Sequence, residues 1–599
     1  MLVLACVLLL SGLSVSATRL NVMSSDLRNG TNAEAAVTQS PQRRVYIPHN
    51  VPQTEATVFW FGRVTPSENY TDVRVRYTDN GVLVNLGIID RRLWYNPNPS
   101  PSDLTSWDAV SLYLRPGGAT GATPDAASYR FDAQLSRGGV DRTLYQAAYR
   151  GNGSQWALTP VPFMTAADWN STTGPNNDRD AHGWMLWYEI PFTSLGLSGP
   201  PAQGTVWGLA VAVHDRDSQA GPPLATQIWP ETMLSTRPAT WGELVFGLKP
   251  AYVPASAQPQ GTAVIRHGLN GARVIDADVG GSSMCGSEAS SNYFLGWGEL
   301  NYAGKVFLNV QRVDPISEWP CFSKYYVTFP LDSVPEGTVV LSASLTLYQS
   351  GHAGENESPG PQPSLIQVFS IYEDWNESTL TWNNAPLAGD LVASARVNPL
   401  DSTPPPWPGI PRQWDVGGAV AEAHAAGQPL RLALYSADGP FHSGKYFFSS
   451  NIGGDGAGRP TLTVVWGSPL ANLRKTAVTR TAYAGDVITY TLSIAGDGKS
   501  LTLIDTLPVG VGAPTALTWS GTSAAPTYDS EAHRLTWNDA PSTGTVVTLS
   551  YQTEVTAPGR AVLTNVATLR HGDTLIDEAS VTVLVNPYHI ALPLIVKHR

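Results

Sequence analysis

Cysteine is nearly absent from this chain, with three in 599 residues: Cys6, Cys285 and Cys321. No CxxC pair occurs, which excludes zinc ribbons and cysteine-ligated iron–sulfur centres. Charge is scarce as well. Only 14% of residues are Asp, Glu, Lys or Arg, and their balance is −12. A nucleic-acid backbone demands clustered cations, so nucleic acid is not an expected partner. Beyond the N-terminal Leu2 to Leu13 no apolar run is long enough for a membrane helix, so no transmembrane segment is expected in the mature chain. An HExxH zinc signature and a nucleophile elbow are also missing.

Turn formers, by contrast, are plentiful. The 55 Gly and 47 Pro amount to about one residue in six, against roughly one in eight in an average protein, which favours a turn-rich all-β chain over helical bundles. A length of 599 suggests about four domains at the usual ~150 residues each. The expected fold class is therefore all-β, as tandem antiparallel β-sandwiches joined by short linkers.

Leu2 to Leu13 followed by Val15-Ser16-Ala17 reads as a signal peptide, residues 1–17, cleaved after Ala17, although no Lys or Arg precedes the apolar run. The protein is thus expected to be secreted or held at the cell surface. Removal of the leader leaves Cys285 and Cys321, either as two free thiols or as a disulfide. Closing that loop would contribute roughly 4 kcal/mol through chain entropy.

Residues 18–50 are polar and read as an irregular linker. A first domain over 51–250 is expected from short strands at Val58–Val64, Val73–Tyr77, Val82–Gly87, Ala109–Leu114, Ser128–Gln134, Gly183–Ile190, Trp207–His214 and Gly242–Phe246, with Thr78-Asp79-Asn80-Gly81 forming a hairpin. Alternation through Val73, Val75 and Tyr77 turns Arg74 and Arg76 to the opposite face, expected to be wet. Trp107-Asp108 leading into Ala109–Leu114, Gly183–Phe192 with its Glu-Ile-Pro ending, Trp207–Asp217 and Trp241-Gly242-Glu243-Leu244 together resemble family nine carbohydrate-binding modules and related DOMON-like sandwiches. The resemblance implies a sugar platform. Trp94, Tyr95, Trp184 and Trp187 are its aromatic candidates, because an indole face offers an apolar plane to sugar C–H groups while amides and carboxylates read hydroxyls. Trp184 and Trp187 need not share one side of their strand.

Asp178-Arg179-Asp180 and Asp215-Arg216-Asp217 bring alternate carboxylates together, so Asp178, Asp180, Asp215 and Asp217 are candidate ligands of a structural calcium. Solvated turn acids are the competing reading, since neither stretch follows EF-hand spacing. No other cofactor is expected.

After a connector at Pro250–Gly261, residues 262–468 form a second domain. Arg273–Asp278, Lys324–Phe329, Ser342–Tyr348, Ile366–Phe369 and above all Trp375-Asn376-Glu377-Ser378-Thr379-Leu380-Thr381-Trp382-Asn383-Asn384 resemble the DNRLRE group of secreted carbohydrate-binding-like sandwiches. Trp375 and Trp382, with Glu377 and Asn383, are either a sugar-facing loop or a structural corner. Asp374 and Glu377 also raise a paired-carboxylate hydrolase.

A third domain spans 473–586. Ile488, Tyr490, Leu492 and Ile494 alternate onto one face. With Leu503–Gly510 and Leu563-Thr564-Asn565-Val566-Ala567 they resemble the conserved repeat of bacterial surface proteins, which implies a spacer. The tail, residues 587–599, resembles a terminal motif of exported Chloroflexota proteins and implies sorting machinery of the cell envelope as a partner.

The preferred function is noncatalytic recognition of an extracellular polysaccharide or glycan, including adhesion at the cell surface, with no catalytic residues assigned. Its competitors are a structural spacer without a sugar site and a polysaccharide hydrolase using His182, His214, Asp180 or Glu189.

Overall fold

A computed structural model describes residues 42–586, apart from 138–139, 171–173, 256, 288–291 and 314–315. The leader, most of the segment 18–50 and the tail 587–599 lie outside the described residues. The chain forms tandem β-sandwiches of mostly antiparallel sheets, the class its turn-rich composition favours.

In the first sandwich the outer sheet runs Arg44–Ile47, Gly242–Phe246, Val206–His214, Ala109–Pro116, Tyr129–Gln134, Gln146–Gly151 and Trp156–Leu158, with Gln227–Trp229 added against Val206–His214. Its inner sheet runs Thr57–Thr65, Glu68–Tyr77, Gly81–Ile89, Gly183–Pro191 and Met164–Asn170. The expected hairpin closes with the Thr78 N–H donating to the Gly81 carbonyl at 3.0 Å. Arg44–Ile47, read from sequence as irregular linker, is a strand. It pairs in parallel with Glu243–Phe246 and buries Val45 and Ile47, so the sandwich begins before residue 51.

The second sandwich has an outer sheet of Ala257–Arg266, Thr461–Pro469, Val339–His352, Lys445–Phe448 and Phe307–Val310, with Ile410–Asp415 against Val339–His352. Its inner sheet is Ile275–Gly280, Ser323–Phe329, Leu430–Ser436, Ser364–Ser370 and Leu391–Val397. Ala257–Gly261, assigned to the connector, already pairs with Trp466–Pro469. Cys285 and Cys321 are joined as a disulfide, which decides between the two sequence readings.

The third sandwich opposes Asn472–Ala477, Val487–Ala495, Val546–Glu554 and Thr515–Ser520 to a six-stranded sheet built around Thr574–Val585, Ala561–His571, Leu501–Thr506 and Arg534–Asp539. Ile488, Tyr490, Leu492 and Ile494 all point into its core.

The two inner sheets of the first and second sandwiches pack on each other, and one continuous apolar cluster runs through both. That contact overturns the wet face expected for Arg74 and Arg76. Arg74 is buried, its Nη2 donating to the Asp438 carbonyl at 3.1 Å, and Arg76 is half-buried. Lys324 is enclosed at the same seam, donating to Tyr70 Oη at 3.0 Å and lying 3.6 Å from the Trp382 ring centroid and 4.7 Å from that of Trp60. Burial drives the Lys324 amine well below its usual range. Asp72 gathers Tyr70 Oη at 2.7 Å, Tyr435 Oη at 2.9 Å and Arg312 Nε at 3.5 Å, which satisfies a carboxylate that could not be buried alone.

Candidate functional site

Three of the six aromatic candidates are enclosed. Trp184 is fully buried and donates its indole N–H to Asp90 Oδ2 at 3.2 Å. Trp94 and Trp382 are buried too, the latter against Tyr70, Trp297 and Lys324. A ring with no open face cannot stack on a sugar, so these three are corrected to core residues. The reason lies in the sandwich stacking, which seals the face that holds Trp382, and in strand alternation, which points Trp184 inward with Leu186 and Tyr188. Trp187, on the opposite face of that strand, stays half-buried, as does Tyr95, whose ring meets Tyr145 edge-on at 6.1 Å.

Trp375 is half-buried beside a shallow cleft of about 420 Å³ lined by Asp374, Asn376, Thr379, Leu380 and Asn384. The cleft's polar groups are already engaged. Asn376 Oδ1 accepts from Ser378, Asn384 Nδ2 donates to the Thr379 carbonyl at 2.7 Å, and Asp374 pairs with Arg431. Glu377 Oε1 accepts from the Gly304 N–H and from Asn451 Nδ2, both at 3.1 Å. Asn383 is turned to the first sandwich. These bonds describe a braced corner, in which Asp374 and Glu377 are both held by neighbouring groups.

An open aromatic surface lies elsewhere, on the outer sheet of the second sandwich. Phe307 faces Phe448 across paired strands, while their neighbours Leu308 and Phe447 point inward. The Phe307 and Phe448 ring centroids are 5.6 Å apart, and Trp407 continues the stripe 5.5 Å from Phe448. Trp407 is 48% and Phe307 47% exposed. The Trp407 indole N–H is fixed by Asp455 Oδ1 at 3.1 Å. Gly458 lies against the stripe, and a Cβ there would stand 3.1 Å from Phe448 and 3.2 Å from Trp407, so the missing side chain lets the rings settle. Sequence reasoning passed over Trp407. Its signal is an indole set in the loop Pro404-Pro405-Pro406-Trp407-Pro408, where no strand core could claim it.

The acidic candidates divide differently from expectation. Asp90, Asp215 and Asp217 each place a carboxylate oxygen within 4.8 Å of the others. Asp178 and Asp180 are not members. Asp178 is exposed, and Asp180 pairs with Arg91 at 3.0 Å and Arg92 at 3.1 Å. Asp90 directly follows the strand Gly81–Ile89, and sequence spacing does not reveal it because its partners lie over a hundred residues downstream. Asp108, at the start of Ala109–Pro116, backs the group, with Oδ2 accepting from the Trp94 N–H at 2.6 Å and Oδ1 from the Arg216 N–H at 2.9 Å. Burial, reinforced by the neighbouring carboxylates, holds Asp90 and Asp108 well above the usual carboxylate range and pushes Asp215 up to about 7. Asp215 Oδ1 is buried with no hydrogen-bond partner among the described residues. Oxygen-only donors and an orphaned buried oxygen fit a hard divalent cation.

A hydrolytic reading finds no support in the histidines. His214 Nε2 lies 3.0 Å from Ser111 Oγ, which donates to Asp132 Oδ1 at 2.6 Å, so the serine stands between acid and imidazole instead of at the reacting end. Ser111 is fully buried, and burial pulls His214 down to about 4. His182 packs edge-on against Trp319, ring centroids 6.3 Å apart.

Residues 298–462, which carry the Phe307–Phe448–Trp407 stripe, match carbohydrate-binding module family 96. No curated protein sequence matches the chain. Among solved structures, the chain is similar to a family 9 carbohydrate-binding module from Caldicellulosiruptor kristjanssonii in complex with cellotriose, at 16% identity over 36% of this chain and 100% of that one, TM-score 0.26. It is also similar to a putative carbohydrate-binding protein from Bacteroides uniformis, at 13% identity over 34% and 99%, TM-score 0.25. A collagen-binding domain from a Staphylococcus aureus adhesin matches at 15% identity over 19% and 95%, TM-score 0.15.

Proposed function

We propose that this protein binds an extracellular polysaccharide or glycan without cleaving it, and that the contact surface is the Phe307–Phe448–Trp407 stripe. The observation that carries this reading is the coincidence of the open aromatic surface with the segment matching family 96. Flat rings take the C–H faces of a sugar, and Asp455 beside Trp407 supplies an acceptor for hydroxyls. The disulfide and the leader-like residues 1–17 support export, to the medium or to the cell surface.

In this reading the first sandwich, which resembles family nine modules, is a rigid partner of the second, of DNRLRE type. The third is a spacer of the surface-repeat kind, and the tail is a sorting element of the Chloroflexota type. Asp90, Asp215 and Asp217 hold a structural calcium, whose charge would let three crowded carboxylates, two of them buried, stay ionised together.

A glycan array probed with the full chain tests the proposal, with Trp407→Ala and Trp375→Ala alongside. Sugar-selective binding should fall at least about tenfold in Trp407→Ala, near 1.4 kcal/mol, with unchanged thermal melting, while Trp375→Ala stays close to wild type. Wild-type protein that recognises no glycan would defeat it.

A further inference from the structure

The stripe proposed as the sugar contact is not flat. Phe307 and Phe448 are inclined to each other by 39°, and Phe448 and Trp407 by 60°. Strand pairing places the first two rings, since Phe307 stands opposite Phe448 in register and the twist between neighbouring strands turns one ring relative to the other. The third ring comes from the loop ahead of the strand Ile410–Asp415, where its indole N–H is tied to Asp455 Oδ1. Asp455 is itself fixed, the same oxygen accepting from the Ala457 N–H at 3.0 Å.

Bare backbone holds the central ring at its angle. A Cβ on Gly409 would stand 3.1 Å from Phe448, as would one on Gly458, so a side chain at either position would push the ring aside. Gly409 also has a φ of +97°, which other residues rarely adopt. Phe448 is half-buried against these two glycines. The tilts therefore belong to the folded scaffold and are set before any ligand arrives.

A pyranose stacks on an aromatic ring face to face, its C–H groups over the π-cloud. A crystalline polysaccharide such as cellulose or chitin offers a plane, and three rings can lie against one plane only if they are coplanar. Here a flat surface that meets Phe448 face-on meets both neighbours obliquely, and one laid on a neighbour loses Phe448. A free chain whose sugars turn at each linkage can follow the tilts. The spacing agrees, because successive centroids 5.6 Å and 5.5 Å apart are each near the length of one sugar unit along a chain. We infer that the stripe takes three consecutive sugars of a single, coiling glycan chain and discriminates against crystalline, ribbon-like polysaccharides. This specificity rests on the stripe being the contact surface, as proposed above.

Calorimetric titration of the full chain with oligomers of one to six units from xylan, laminarin, amylose and polygalacturonate tests it. In at least one series affinity should rise about tenfold from two units to three, as the third ring is engaged, and then stay within about threefold up to six. Microcrystalline cellulose and crystalline chitin should retain less than about a tenth of the protein held by the responding polymer coupled to beads. Phe307→Ala should lower three-unit affinity to the two-unit level with unchanged thermal melting. The wild-type length series stands even if that variant misfolds. Trp407-dependent binding on the glycan array with no step at the third unit in any of the four series would overturn the specificity and leave the stripe as the contact surface. Equal retention on crystalline cellulose or chitin, lost in Trp407→Ala, would do the same. Absence of binding to every glycan, or binding indifferent to Trp407→Ala, would overturn both.

Discussion

Asn383 of the second sandwich brackets Val64 of the first, its Oδ1 accepting from the Val64 N–H at 2.8 Å and its Nδ2 donating to the Val64 carbonyl at 3.1 Å. The amide imitates a strand neighbour and satisfies two backbone groups at the edge of the seam. Asn383→Ala should therefore destabilise the protein by about 2–3 kcal/mol, read from denaturant midpoints at constant slope. A change within about 0.5 kcal/mol, the range of ordinary surface substitutions, would show that the bracket is incidental.

Trp184→Ala should act on stability, not on ligand. Removing a fully buried indole and its bond to Asp90 is expected to cost about 3–5 kcal/mol. Glycan affinity of the fraction that remains folded should be unchanged. Loss of affinity without loss of stability would return the sugar site to the first sandwich.

Calcium should raise the melting temperature saturably, and a chelator should reverse the gain. At a hundredfold excess over its dissociation constant the cation would add about 2.7 kcal/mol. Asp215→Asn should abolish the response, whereas Asp178→Asn should not. Equal responses in the two variants would count against the Asp90–Asp215–Asp217 cluster.

A pH dependence follows from the second sandwich. Asp276 is buried under Ser450 and Tyr325, and burial pushes it up to about 7; Asp278, beside Ser282 and Asn309, is pushed up to about 6. Because the folded carboxyl groups hold protons that the unfolded chain has released, their contribution favours folding most below pH about 4. It should decline as pH rises through about 6–7 and level off above. Melting temperatures across pH 4–8 should show that decline reduced in Asp276→Asn. An unaltered profile in the variant would mean that Asp276 is ionised when folded.

Much of the fold was legible because period-two alternation and turn chemistry are local. Val73, Val75 and Tyr77, or Ile488 through Ile494, announce their faces in a few residues. What alternation cannot reveal is the identity of whatever covers the second face. Arg74 looked wet because an arginine opposite a valine row ordinarily meets solvent, and here it meets Asp438 of another sandwich. The same limit left Trp382 open between a sugar-facing loop and a structural corner, and the covering sheet decides for the corner. Asp215 and Asp217 were visible as neighbours in sequence, but Asp90 joins them only through folding. Trp407 lies outside the period-two pattern altogether, because the exposed ring is carried by a proline-rich loop.

The apolar cluster shared by the two inner sheets bears on how this protein can be taken apart. Excising the family-matched segment would part Trp60 from Phe369, Tyr435 and Lys324 and present a greasy wall to water, an aggregation hazard. A cut that respects sequence boundaries would sever a joint that physics treats as interior. The first two sandwiches should therefore be expressed and engineered together, as one block.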